Sequence, residues 1–135
     1  MNWSVYTLFV VPALSTGFVG PAAADSKCSD VNIQVTNEYR DPVTNAQVDI
    51  KVVDFKYWDK EDNKWRNEST KNKRIDPGQT ETWNKNLEYV GGEPGVKVKV
   101  YYKYSQAGGR WSTQHTKLSN AFQCFDGIPV SIVVN

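Results

Sequence analysis

The sequence has one histidine, His115, and two cysteines. A single histidine excludes a metal site built on several histidines and leaves few options for a Ser-His-acid or Cys-His catalytic device. A sustained helical period is also missing after residue 25, which argues against an α-helical domain. The sequence also has no large excess of one charge, because it contains sixteen basic and fifteen acidic residues and its net charge is +1. The whole chain is therefore not a generic polyanion binder, no nucleic acid is expected as a partner, and any charged partner must be recognised locally.

The first 24 residues contain no charged side chain. They hold an apolar run from Val5 to Val19 and end in Pro21-Ala22-Ala23-Ala24, and small residues of this kind are typical of the cleavage site of a secretory signal. We therefore predict a signal peptide over residues 1–24, a mature domain over residues 25–135 and an extracellular location. The alternative is an uncleaved membrane anchor, since about 20 uncharged residues can cross a bilayer. Pro and Gly residues within the segment argue against that alternative.

The two cysteines, Cys28 and Cys124, lie near the two ends of the predicted mature domain. Because export permits oxidation, we predict one disulfide between them. It would close a loop of about 100 residues, for which the chain-entropy model gives at most about 4.7 kcal/mol. Such a contribution is large beside a typical domain stability of about 5 to 15 kcal/mol. Two unpaired buried thiols are the alternative.

Short segments in which apolar and polar residues alternate predict several strands separated by turns. Val31 to Val35 should be the first strand, with a hairpin leading from it into the second. Val96 to Tyr104 is the most regular strand, and Gln79 to Trp83 and Asn86 to Val90 are two weaker ones. This profile predicts an all-β fold, a single-domain antiparallel β-sandwich of immunoglobulin-like or similar type with about seven or eight strands.

The stretch from Gln47 to Trp65 predicts a second hairpin. Its alternation slips by one residue at Val52 and Val53, for which a β-bulge is the simplest cause. A polar run then breaks the strand, and Trp58 and Trp65 flank that run. We expect the two indole rings to lie close together on adjacent strands.

Five basic residues accompany a single acidic one, Glu68, within the eleven residues from 64 to 74. Together with nearby tryptophans, they form our candidate partner-binding set: Trp58, Lys64, Trp65, Arg66, Lys71, Lys73, Arg74 and Trp111. The alternative is a solvated loop whose Lys and Arg side chains protect a sheet edge. A second candidate surface is the stripe of Lys97, Lys99, Tyr101 and Lys103, for which alternation alone predicts a plain solvent-facing side.

Other chemistry has little specific support in the sequence. Oxygen-bearing residues between Asp59 and Asn63 are spaced like part of a calcium loop, but the EF-hand glycine and terminal glutamate are missing, which favours a solvated hairpin tip. Some pair of the fifteen acids could support glycoside hydrolysis, although proximity by chance is expected. Asn67-Glu68-Ser69 fits the N-glycosylation sequon. We predict no cofactor and no metal.

The segment from Thr44 to Phe55 faintly resembles a strand region of the thermostable direct haemolysins, which are secreted β-sandwich toxins. The resemblance covers about a dozen residues of strand composition. The carboxyl half does not follow that pattern, and the cysteines are spaced more widely. The resemblance implies a membrane-active alternative and does not assign the chain to the family.

The leading functional hypothesis is a secreted, non-enzymatic β-sandwich that binds a protein, glycan or lipid surface, as an effector, inhibitor or adhesin would. A membrane-binding, haemolysin-like toxin is the second hypothesis. A small secreted hydrolase that uses paired carboxylates is the third. The sequence leaves enzymatic activity open and leans against it.

Overall fold

A computed structural model describes residues 26–135, and the predicted signal peptide over residues 1–24 lies outside the described residues. The described chain is all-β and contains no helix, and hence none long and apolar enough to span a membrane. Its nine strands are β1 (Cys28–Asn37), β2 (Ile50–Asp59), β3 (Lys64–Glu68), β4 (Lys73–Ile75), β5 (Thr80–Leu87), β6 (Lys97–Gln106), β7 (Arg110–Trp111), β8 (His115–Leu118) and β9 (Pro129–Val134).

The strands form two sheets. The smaller sheet has the order β5-β1-β9, and the larger sheet has six strands, with β2 and β6 at its centre. Strands β3 and β4 pair with successive parts of β2, and β7 and β8 pair with successive parts of β6, so each edge of the larger sheet is interrupted. Two sheets of this kind are consistent with the predicted β-sandwich.

One pairing departs from the predicted antiparallel fold, because β1 and β9 are parallel. Parallel neighbours need a long connection, and almost the whole described chain lies between these two strands. The disulfide between Cys28 and Cys124, which the sequence predicts, is confirmed and is buried. It joins the start of β1 to the segment that leads into β9.

Both sheets contribute to one hydrophobic core. In β1 the inward residues are Val31, Ile33 and Val35, which confirms the predicted direction of the first strand. In β6 the buried face consists of valines and tyrosines, as the alternation from residue 96 to residue 104 predicts. Period-two patterning thus identified the core side of both strands correctly.

The predicted hairpin between the first two strands is wrong. Strand β1 pairs with β5 and β9, whereas β2 belongs to the other sheet. The connection crosses between the sheets beside the buried residue Asn37, whose amide donates hydrogen bonds to the carbonyls of Val48 and Ile75 at 2.8 and 2.9 Å. A buried amide can hold such a crossing because it satisfies backbone groups of both following segments.

The two weaker strands predicted between residues 79 and 90 are one strand, β5, which ends at Leu87. The predicted bulge in β2 is confirmed, since the register with β6 shifts between Val52 and Asp54. The bulge returns Phe55 and Tyr57 to the core, and the alternate residues Lys56 and Trp58 then face outward.

Candidate binding face

The outer side of the larger sheet carries an unusual concentration of lysine and aromatic side chains. Strand alternation and the bulge in β2 direct them away from the core, and cross-strand pairing brings residues distant in sequence together. We call this surface the lysine–tryptophan face and define it by Lys51, Lys56, Trp58, Trp65, Lys97, Lys99, Tyr101, Lys103 and Trp111. One carboxylate, that of Asp54, lies on the same side, directly opposite Tyr101.

At one end of the face, Trp58 and Trp65 lie directly opposite each other on β2 and β3. Their ring centroids are 5.3 Å apart, which confirms the predicted proximity of the two indoles. Lys97 is the partner of Trp58 on β6, and Leu118, which is 47% exposed, completes the walls of a cleft of about 340 Å³. This end of the face therefore combines apolar walls with one positive charge.

Two rows of lysines follow along the sheet. Lys56 lies directly opposite Lys99, and Lys51 lies directly opposite Lys103. On its other side, Lys51 pairs with Arg74 of β4. Like charges in such positions destabilise a sheet. No lysine on the face has a carboxylate within salt-bridge distance among residues 26–135, although the carboxylate of Asp54 lies on the same side between the two rows.

Three of the lysines rest over aromatic rings of the same face. The ammonium of Lys99 lies 3.9 Å from the ring centroid of Trp65, and that of Lys51 lies 4.5 Å from the ring centroid of Trp111. A longer contact of 5.6 Å joins Lys56 to Tyr101. Cation–π contacts at exposed sites contribute about 0.5 to 1 kcal/mol each. They orient the ammonium groups without neutralising their charge.

The outer side of the smaller sheet is built differently. Its cross-strand rows hold threonine, asparagine, glutamine, serine, proline and valine, and they include no charged or aromatic residue among the paired positions: Asn84, Asn32 and Pro129; Thr82, Gln34 and Ser131; Thr80, Thr36 and Val133. The hydroxyls of Thr36 and Thr80 are 2.8 Å apart, within hydrogen-bonding distance. This chain can therefore cover a sheet with neutral side chains.

Beneath the tryptophan end of the face, the charges are paired. Arg66 projects to the inner side of β3, where its Nε donates to Asp59 at 2.6 Å and its Nη2 donates to Asp62 at 2.5 Å. The guanidinium also lies 4.1 Å from the ring centroid of Tyr89. Burial alone would raise the pKa of Asp59, but the Asp62 N–H and the Arg66 guanidinium outweigh burial and hold the pKa below its ordinary value.

Glu93 is a second buried carboxyl at this position, with 4% of its surface exposed. Its Oε1 accepts the backbone N–H of Glu61 at 2.7 Å, whereas its Oε2 has no hydrogen-bond partner within the described chain. Burial raises the pKa of Glu93, the Glu61 N–H opposes this shift, and the negative charge of Asp59 adds to it. These carboxyls lie beneath the hairpin and do not line the lysine–tryptophan face.

The residues predicted to form one partner-binding surface are distributed over several places. Trp58, Trp65 and Trp111 belong to the face, and Arg66 lies beneath it. Three others lie away from the face: Lys64 is exposed at the start of β3, and Lys71 and Lys73 line a separate groove of about 600 Å³ that also contains Trp83. Arg74 borders the face, because it lies opposite Lys51 on the edge strand β4, where it is paired with Asp49. Their partner-binding role stays a prediction.

The sequence-based set omitted Lys51 and Lys56, and it kept the β6 stripe separate from the hairpin. The missing step was the pairing of β2 with β6, which brings the outward residues of both strands into the same rows. Alternation and the bulge indicate which residues of β2 and β6 face outward. They do not indicate that these two strands are neighbours, which is what brings the lysines of both into one face.

Searches of protein families, curated proteins and solved structures returned no match to this chain. Within residues 26–135, no three His, Cys, Asp or Glu side chains are grouped so that they could hold a metal ion. The functional proposal therefore depends on the geometry of the face itself.

Proposed function

We propose that this chain is a secreted, non-enzymatic binding protein that holds a polyanionic partner on its lysine–tryptophan face. The proposal keeps the predicted β-sandwich of immunoglobulin-like or similar type as its framework. The observation that carries it is the pair of directly opposed lysine rows, Lys56 with Lys99 and Lys51 with Lys103, which have no carboxylate partner in the described chain.

The opposed lysines lower the stability of the sheet. Neutral polar side chains would be enough to solvate its outer side. Each opposed pair destabilises the sheet by a few tenths of a kcal/mol to about 1 kcal/mol. The smaller sheet presents neutral side chains to solvent instead. An anionic partner would convert the repulsion between lysines into attraction toward the ligand, and it would neutralise the face only when bound.

The aromatic side chains of the face give a partner more than charge. Trp58, Trp65 and Trp111 are half-buried, so their rings are held in place while part of each ring stays accessible. Tryptophan combines a large apolar surface with one hydrogen-bond donor, which suits the recognition of sugar rings and of protein surfaces. An effector, inhibitor or adhesin that binds an acidic partner is consistent with this arrangement.

A membrane-binding toxin is the second candidate function. The cleft beside Trp58 and Trp65 includes the exposed side chain of Leu118 and the amine of Lys97, a combination that suits the interface of an anionic bilayer. Because the tryptophans are half-buried, a polymer that can enter the cleft is a better ligand than the flat surface of a bilayer. A paired-acid hydrolase gains no support from Asp59 and Glu93, since both carboxyls are buried.

Binding to immobilised and soluble heparin at low salt tests the proposal on the mature, oxidised protein. The variant Lys56→Gln/Lys99→Gln removes one lysine row. Because one lysine near an anionic surface contributes on the order of 1 kcal/mol, we expect the Kd to rise about 30-fold. The matched control is Lys27→Gln/Arg40→Gln, which removes the same charge from two exposed positions outside the face and outside the candidate partner-binding set.

We expect the control variant to keep most of the affinity. An equal loss in both variants would show that binding follows total charge and would contradict the assignment to the face. Failure of the wild-type protein to bind heparin, polygalacturonate and anionic vesicles at low salt would overturn the proposed function.

A further inference from the structure

We infer that the polyanion is a linear acidic polysaccharide, which lies lengthwise on the lysine–tryptophan face from the Trp58–Trp65 cleft to Trp111. This inference rests on the proposed function and names the ligand class of the same surface. The ligand is a chain of pyranose rings that carries carboxylate or sulfate groups at regular intervals.

The aromatic side chains are spaced regularly along β6. Trp58 lies opposite Lys97, Tyr101 belongs to β6 itself, and Trp111 lies opposite Ser105. The three positions on β6 are therefore four residues apart, which corresponds to steps of about 13 Å and a total length of about 26 Å. We call these three aromatic positions, at Trp58, Tyr101 and Trp111, the aromatic stations. An extended polymer can contact all three stations, whereas a small ligand can occupy only one.

The two lysine rows lie between the aromatic stations. Lys56 and Lys99 separate the tryptophan cleft from Tyr101, and Lys51 and Lys103 separate Tyr101 from the position of Trp111. Aromatic and cationic positions thus alternate along the face, with one carboxylate, that of Asp54, beside the middle aromatic position Tyr101. A polysaccharide acid offers the complementary order, since apolar ring faces pack on aromatic side chains and the acid groups accept charge-assisted hydrogen bonds from ammonium groups.

A bilayer fits this arrangement less well. A fluid lipid surface gains nothing from regular spacing, and it would need apolar side chains that project from the protein. The most exposed large apolar residues, Val43 and Phe125, do not belong to the face, and among the described residues Leu118 at its cleft is the one large aliphatic side chain exposed there. Single-stranded nucleic acid shares the alternation of ring and anion, but the predicted signal peptide directs the chain outside the cell. The polysaccharide is therefore the ligand class that spacing, charge and predicted export favour together.

Calorimetric titration with oligogalacturonates and heparin oligosaccharides of increasing length tests the inference. In at least one series we expect affinity to rise with length until the oligosaccharide spans about 26 Å, and then to change little. Fully methyl-esterified oligogalacturonates, which keep the rings and lose the charge, should bind at least tenfold more weakly than the free acids of a series that binds.

The variant Trp111→Ala separates lengthwise binding from simple charge attraction. We expect it to weaken the longest oligosaccharides about 3- to 10-fold. Oligosaccharides too short to reach from the tryptophan cleft to Trp111 should be affected much less. Phe125→Ala is the matched control, because it removes an exposed aromatic ring outside the face and should leave every affinity unchanged.

Three results would overturn the inference while the proposed function stands: affinity independent of length in both series, equal losses in the Trp111 and Phe125 variants, or tighter binding of phosphatidylserine vesicles or oligothymidylate at the same salt concentration. If none of these anionic probes binds at low salt, the proposed function fails as well. The two failures are therefore distinguishable in one set of titrations.

Discussion

The β2–β3 hairpin carries charged residues on both of its sides. Among residues 26–135, an arginine on the inner side is ion-paired, whereas a lysine on the outer side is not. On the inner side, Arg66 is bound by Asp59 and Asp62 and covers the ring of Tyr89. On the outer side, Lys56 faces another lysine and has no carboxylate within salt-bridge distance in the described chain. The charge of Arg66 is paired within the described part of the protein, whereas that of Lys56 is not, and under the proposed function it is available to an anionic ligand.

Under the proposed function, this difference separates the residues that stabilise the hairpin from those that bind the ligand. A charge that is removed from water needs a hydrogen-bonded partner, because its desolvation is otherwise unfavourable. A charge that stays in water can remain unpaired at small cost. We therefore expect substitutions on the inner side to act on the free energy of unfolding, and substitutions on the outer side to act mainly on ligand affinity.

The largest effect is expected for Arg66→Gln. It leaves Asp59, which is 1% exposed, without its cationic partner. Breaking a buried ion pair in this way costs about 3 to 5 kcal/mol, and we expect the lower end because the Arg66 side chain is 14% exposed. Urea unfolding of the mature protein measures the loss.

Arg74→Gln is the matched control for Arg66→Gln, because the Arg74 side chain lies on the edge strand β4 and is 62% exposed, and its partner Asp49 is 16% exposed where Asp59 is 1% exposed. We expect the control to lose less than about 1 kcal/mol. Similar losses in the two variants would contradict the division between inner and outer charges.

The next effect is expected for Lys56→Glu, which replaces a repulsive pair with an attractive one opposite Lys99. We expect the free energy of unfolding to increase by a few tenths of a kcal/mol to about 1 kcal/mol, while heparin affinity falls. Chemical unfolding and titration on the same samples measure both quantities. Lys27→Glu, at an exposed position outside the face, controls for the change in total charge. A loss of stability in Lys56→Glu would show that the lysine rows are not a cost to the fold.

The smallest effect is expected for Glu93→Gln and concerns pH. The pKa of Glu93 is raised above its ordinary value by burial, so its folded form favours the proton. Its contribution to stability is therefore present at low pH and is lost as the pH rises through the folded pKa. Asp59, whose pKa is lowered, acts with the opposite sign and loses its contribution as the pH falls through its folded pKa.

Glutamine at position 93 can still accept the Glu61 N–H, but it cannot ionise. We expect the variant to equal the wild type at about pH 4 and to be the more stable protein at about pH 8. Urea unfolding at both pH values, with exposed Glu38→Gln as control, measures the difference. Burial also raises the pKa of Glu68. Because Glu68 is present in the wild type and in both variants, its effect on the pH dependence of stability is the same in all three proteins. Parallel pH profiles of Glu93→Gln and the wild type would exclude a destabilising ionisation of Glu93.

Local patterns in the sequence were sufficient for the buried sides of β1, β2 and β6, but they divided β5 into two strands. Alternation identified Val31, Ile33 and Val35 as core residues, and the slip at Val52 and Val53 identified the bulge. These predictions succeeded because side-chain direction in a strand depends on near neighbours in the chain. The same patterns assigned β1 the wrong neighbour, since alternation states which side is buried and not which strand lies beside it.

The sequence by itself determined that the described chain is all-β, that Cys28 pairs with Cys124, and that Trp58 and Trp65 meet across a hairpin. Only the tertiary structure decided which basic residues share a surface. In the folded chain Arg66 lies on the inner side of the hairpin, and the lysines of β2 lie opposite those of β6. Pairing between strands separated by about forty residues depends on how two complete sheets pack, and no local pattern contains that information.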